Sequence, residues 1–193
     1  MNKVTMNEIS YGINKPQDLL NKLVLDGEKI DENPHPHDLF NFFVTAAVLN
    51  EWVVKYYSNA IVQGIKDALN DNVAEKLPVE TSSWVLDKQC LPNQGCDVRR
   101  HVFNAMRICW GTANASKHYH WAKSSGVSAI EGSPNIKNWY QYFFTSTDPG
   151  IYIEYAGEYY TLLQIKLILT QFYSGLLSYL EVSGVIGEQN TKP

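Results

Sequence analysis

At 193 residues the chain is long enough for one domain with a sizeable core, and 45% hydrophobic against 19% charged residues excludes a disordered or membrane-embedded composition. A formal net charge of −4 excludes a general electrostatic grip on nucleic acid and leaves only a local basic patch for that purpose. Cys90, Cys96 and Cys109 are an odd set without dense spacing, the opening MNKVTMNEISYG lacks the apolar core of a signal peptide, and no apolar run reaches membrane-spanning length. The expectation is a reduced, cytoplasmic chain with no membrane contact.

The first helix is predicted to begin at Lys15-Pro16, because proline suits a first helical turn, and to end before Asn33-Pro34. Leu19, Leu20, Leu23 and Leu25 supply its apolar face. A second helix is predicted from Asp38 to Tyr57, where Leu39, Phe42, Phe43, Ala46, Leu49, Val53 and Tyr56 recur at helical spacing. Phe40, Ala47, Val48, Trp52 and Val54 widen that stripe, as in a helix with partners on several sides. A weaker helical pattern covers Ala60 to Asn70. Asp71 to Ser83 reads as a loop, and a short helix is predicted over Trp84 to Leu91. Pro92-Asn93-Gln94-Gly95 marks a turn, after which Asp97 is a good N-cap for a helix over Val98 to His118. Its inner face is Val102, Ala105, Met106, Cys109 and Ala113.

Beyond Trp121 the pattern changes. Ser124-Ser125-Gly126 and Gly132-Ser133-Pro134 read as loop, and Trp139–Thr145 and Ile151–Tyr155 as strands separated by Asp148-Pro149-Gly150. Ala156-Gly157 turns a hairpin into Glu158–Tyr160. Thr161 and Gln164 have the spacing of a capping box and open a last helix with Ile165, Leu169, Phe172, Leu176 and Leu180 on one stripe. The tail, 184–193, is expected to be loose. These elements predict a mainly α chain: one domain, 1–193, formed by a helical bundle with a small antiparallel β-meander at about 138–160 inserted before the last helix.

The most pointed polar cluster is Asn114-Ala115-Ser116-Lys117-His118-Tyr119-His120. Together with Asn33-Pro34-His35, Phe40-Asn41-Phe42-Phe43-Val44-Thr45-Ala46 and Glu51-Trp52, it resembles a widespread group of uncharacterised prokaryotic and phage proteins. That group reads NFFVTAWHLxDW, then ANxxKH, then a strand–glycine–strand–helix ending, which Ile151 to Leu180 fits. Glu51 stands where the group carries aspartate. A more remote resemblance is to HEPN helical domains of ribonuclease toxins and anti-phage systems, whose motif pairs an arginine, often followed by asparagine, with a histidine a few residues on. Laid on that motif, Asn114 and His118 match, and Ala113 occupies the arginine position.

The resemblance implies a homodimer with RNA as ligand and catalytic roles for His118, Asn114 and Lys117. RNA cleavage through the 2′-OH needs a group titrating near neutrality and a cation beside the phosphorane. His118 fits the first role, while Lys117, Arg107 or a second subunit's residue would have to supply the second. The competing structural reading is that Lys117 and His118 cap the helix C-terminus and Asn114 bonds a neighbouring helix or the Thr45 hydroxyl.

Other chemistry is weakly signalled. The pairs His35/His37 and His118/His120 lack a carboxylate or cysteine at diagnostic spacing, so no metal and no cofactor is predicted. There is no nucleophile elbow and no phosphate-cradling glycine loop. Arg99-Arg100-His101 reads as a solvated helix face that could also meet RNA phosphates. The strands around Trp139 and Tyr152 alternate so as to expose one aromatic face, suited to base stacking or to a protein partner. The sequence therefore suggests an RNA-associated or protein-interaction module in a toxin or phage-defence setting. The alternative is a metal-independent ribonuclease using His118.

Overall fold

The computed structural model describes residues 12–30, 35–93, 95–118, 127–131 and 152–184, with the backbone alone at 36, 89, 115–118 and 127–131. It is mainly helical, with a small antiparallel sheet ahead of the last helix. Helix α1 (Pro16–Glu28) carries Pro16 in its first turn, and the Asp18 carboxylate reaches back to accept from the Lys15 amide at 3.1 Å. Leu19, Leu20 and Leu23 face the core, but Leu25 is 58% exposed. Two residues on from Leu23, it has rotated away from the buried stripe. The helix stops at Glu28, short of Asn33.

Helix α2 (Pro36–Tyr56) is started by His35, whose Nδ1 accepts from the His37 amide at 3.2 Å. Its broad apolar surface is buried against α1 on one side and against α5 (Val98–His118) on the other. Leu39, Phe42, Phe43, Leu49 and Val53 are all buried, and each such side chain contributes about 1.5–3 kcal/mol by leaving water. Between α1 and α2 lies a buried polar knot. The Thr45 hydroxyl donates to Asp26 Oδ2 at 2.7 Å, and Lys22 Nζ donates to both Asp26 and Thr45. Thr45 is therefore engaged by α1 rather than by Asn114.

Helix α3 (Ala60–Asp71) is capped by Asn59, which accepts from the Val62 amide at 2.8 Å, and ends on Asn72 in the left-handed conformation, φ 56°. The short helix expected over Trp84 to Leu91 instead sits earlier, as α4 (Thr81–Trp84), with a single 3-10 turn at Lys88–Cys90. Carbonyls of Pro78, Val79 and Glu80 accept from Thr81, Ser82 and Ser83, so the Thr-Ser-Ser cluster is wound up by the turn ahead of it. Helix α5 begins as predicted: Asp97 Oδ1 accepts from the Arg99 amide at 3.0 Å.

The sheet has order β1 (Val127–Glu131), β2 (Tyr152–Tyr155), β3 (Glu158–Thr161), all antiparallel. Its first strand was not anticipated. It gains its partner only by pairing with β2 far along the chain, with an irregularity between Val127 and Ala129. The strand expected at Trp139–Thr145 and the tail from Val185 lie outside the described residues. The hairpin turn at Ala156-Gly157 is as read, both residues having positive φ. Ile153 and Tyr160 pair across β2 and β3 on the buried face, while Tyr152 and Tyr159 are 44% and 45% exposed on the other.

Thr161 closes β3 and caps α6 (Leu162–Val182). Its hydroxyl accepts from the Gln164 amide at 3.1 Å and its amide donates to Gln164 Oε1 at 2.9 Å, completing the predicted capping box. All five residues of the predicted stripe are buried. Gly175 of α6 lets the helix lie directly against Trp84 of α4.

Candidate functional site

The predicted site lies at the C-terminal end of α5. The helical backbone continues through His118, and Ala113 is buried while Asn114 is half-buried. The side chains of Lys117 and His118, and all of His120, lie outside the described residues. Helix geometry still locates their backbone positions. At 100° per residue, positions 107, 110, 114 and 118 fall within one stripe roughly 80° wide. Position 118 stands about 16 Å along the axis from position 107.

That stripe leads back to a cavity of about 290 Å3 between α2, α3, α5 and α6. Its floor is apolar, with Ala46, Met106 and Leu169, and Trp110 stands at its edge, 42% exposed. Two polar atoms buried in the protein among its lining residues have no hydrogen-bond partner among the described residues: Asn50 Oδ1 and Arg107 Nε. The Arg107 guanidinium lies over the Trp110 ring, 4.9 Å from its centroid. A second, more polar cavity of about 450 Å3 adjoins the first and shares Val54, Lys55 and Lys66 with it. Lys55 forms a loose, exposed pair with Glu51 at 3.5 Å. Among the described residues, neither Lys66 nor Arg107 forms an ion pair. Lys55, Lys66 and Arg107 thus line two adjoining cavities in which Glu51 is the one carboxylate among the described lining residues, with Asp67 held by the lining residue Gln63.

The run Arg99-Arg100-His101 is a solvated face only in part: Arg100 is exposed and Arg99 half-buried, each held by neighbouring backbone, whereas His101 turns inward. Arg99 pairs with Asp97 and donates to the Glu75 carbonyl at 3.2 Å. Arg100 donates to the Ala156 carbonyl at 3.2 Å. His101 is fully buried, because two residues of helical rotation carry it from the Arg99 side onto the core face shared with Val98, Val102 and Ala105. Its Nε2 lies 2.9 Å from the Asn93 carbonyl and its Nδ1 2.9 Å from the Tyr160 hydroxyl, which also accepts from Asn104 Nδ2 at 2.9 Å. A carbonyl only accepts, so Nε2 carries the proton and the Tyr160 hydroxyl donates to Nδ1. Every member is then satisfied, and burial pushes the Tyr160 phenol well above its ordinary range. This is a clamp between α5 and β3.

The remaining candidates are inert by the same measures. Cys90 and Cys109 are buried free thiols, and loss of solvation raises both above the usual thiol range, which disfavours the nucleophilic thiolate. His35 and His37 are exposed, stack on each other with centroids 4.8 Å apart, and serve the start of α2. Among the described residues no group of His, Cys, Asp or Glu is arranged to hold a metal ion. Among them, too, no helix is long and apolar enough to cross a membrane.

Arg107 had a sequence signal: a charge set among Met106, Ile108 and Cys109, two turns before Asn114. Asn50 and Lys66 had none, since each becomes part of the cavity only when separate helices meet. No family model, curated protein or solved structure matches the chain.

Proposed function

We propose that the chain is an RNA-associated helical module that binds single-stranded RNA along the joined cavities. The observation that carries this is the track of Lys55, Lys66 and Arg107 beside the exposed Trp110. Each cation that meets a phosphate releases condensed counterions, and an aromatic ring at the edge offers a stacking surface. The overall charge of −4 makes such a local concentration more telling, because the rest of the surface would repel the polymer. A toxin or phage-defence setting rests on the resemblance of the Asn114–His118 segment alone.

Binding without cleavage is the better-supported form. The nearest cation on the stripe, Arg107, stands about 16 Å along α5 from position 118, too far for both to serve one phosphate by ordinary side-chain reach. Cleavage by His118 therefore calls for a cation other than Arg107, either Lys117 beside it or one from a second copy in a homodimer. The test is fluorescence anisotropy with a labelled 12-nucleotide RNA across a salt series. Three phosphate contacts give a slope of log K against log salt of about −2. Lys66→Glu should weaken binding at least about tenfold at low salt; a flat salt response with unchanged affinity refutes the proposal. If the same RNA is cut by the native chain and not by His118→Ala, the ribonuclease reading takes its place.

The exposed Tyr152 and Tyr159 support a second reading, docking of a protein partner on the outer face of the hairpin. That reading predicts an association insensitive to ribonuclease and lost in the Tyr152→Ser/Tyr159→Ser double variant.

A further inference from the structure

We infer that the cavity between α2, α3, α5 and α6 receives a single unpaired base of the RNA, whose edge is read by Asn50 and Arg107. The inference rests on the RNA-binding reading and specifies what the ligand places in the pocket. A buried acceptor and a buried donor, Asn50 Oδ1 and Arg107 Nε, are both left without partners among the described residues, and both residues line one cavity. Orphaned groups of this kind are rare in folded proteins because each costs the desolvation it has already suffered. A phosphate or carboxylate would satisfy the guanidinium but not the amide oxygen, since an ionised anion has no proton to donate. A nucleobase edge carries donors and acceptors side by side and satisfies both.

The rest of the lining agrees with a base and not with a sugar or phosphate. Ala46, Met106 and Leu169 form an apolar floor, and Trp110, already covered on one side by Arg107, borders the opening. The volume of about 290 Å3 has room for one base with its ribose. Lys55 and Lys66 stand where this cavity meets the polar one, so a backbone phosphate can rest on them while the chain continues into the second cavity. A duplex has no free base to insert, which makes the site selective for single strands.

The experiment compares two 12-nucleotide strands of equal charge by anisotropy at one salt concentration, an ordinary oligouridylate and an oligomer of abasic ribose phosphates. The expected result is a preference for the intact strand of about tenfold or more, in keeping with one stacked base. Asn50→Leu, with folding checked by circular dichroism, should shrink that ratio towards one. Arg107→Lys, which keeps the charge and loses the Nε donor, is the second variant for the same ratio. Equal binding of the two strands by the native chain overturns the inference and leaves the RNA reading standing. Failure of both strands to bind overturns the two together.

Discussion

Alanine in place of Gly175 should destabilise the fold even though alanine is the better helix former. A Cβ at this position would lie 2.5 Å from Trp84 Cβ, 2.7 Å from its Cγ and 2.8 Å from its Cδ1. Carbon atoms in contact settle at about 3.5–4.0 Å, so the indole or the helix must retreat by roughly 1 Å. A retreat of the indole from α6 also loosens its packing on that helix. The indole lies against Phe172 and Tyr179, with ring centroids 5.8 Å away in each case. Overpacking of a filled site costs about 1–3 kcal/mol, and alanine returns about 1 kcal/mol of helix propensity. The 2.5 Å approach to Trp84 Cβ places the cost at the upper end of that range, so the net loss is roughly 1–2 kcal/mol, which lowers the melting temperature of a chain this size by about 2–8 °C. Urea and thermal melts of Gly175→Ala measure it. The decisive control is the same substitution in a Trp84→Ala background, where the obstruction is gone and alanine should become neutral or stabilising. A melting temperature that stays level or rises when Gly175→Ala is made in the native chain refutes the reasoning.

The polar clamp and the buried ionisable groups give two further expectations. Tyr160→Phe strips His101 Nδ1 of its donor and Asn104 Nδ2 of its acceptor in a fully buried place, so urea melts should show a loss of roughly 2–4 kcal/mol; a loss under about 0.5 kcal/mol would mean that water replaces the hydroxyl. Burial raises the ionisation of Tyr57, Tyr160, Tyr173, Cys90 and Cys109 above their ordinary values of 10.0 for the phenols and 9.0 for the thiols. The unfolded chain therefore loses these protons first. The stability they contribute is complete below about pH 9 and falls as pH rises through 9 to 11. Urea midpoints at pH 8 and pH 10.5 check this, and equal midpoints would contradict it. Cys109→Ala should reduce the earliest part of the fall, and Cys90→Ala/Cys109→Ala should remove it.

The parts of the fold that were legible in the sequence are those fixed by neighbours in the chain. Thr161 and Gln164 bond each other across one turn, Asp97 bonds the amide two residues on, and the α2 and α6 stripes follow from the helical repeat alone. What was missed depends on distant partners. Val127–Glu131 carries little strand signal of its own and becomes a strand because Ile130 meets Ile153 across the sheet. His101 looked like part of a basic run because charge was read along the chain, whereas rotation about α5 turns it inward to Tyr160. The cavity was the least legible feature. Asn50, Lys66 and Arg107 come from three helices, and nothing in any one of those segments marks it as a lining.

Thr161 has a mechanical consequence through its double duty as the final residue of β3 and the cap of α6. With no spare residue between sheet and helix, the register of the hairpin dictates the phase at which α6 enters the bundle. A single residue inserted after Tyr160 would turn the whole of α6 by about 100° and swing Ile165, Leu169 and Phe172 out of the interior. The hairpin therefore acts as a key that sets the orientation of the apolar face of α6, and loop-length variation at this junction is closed to the fold.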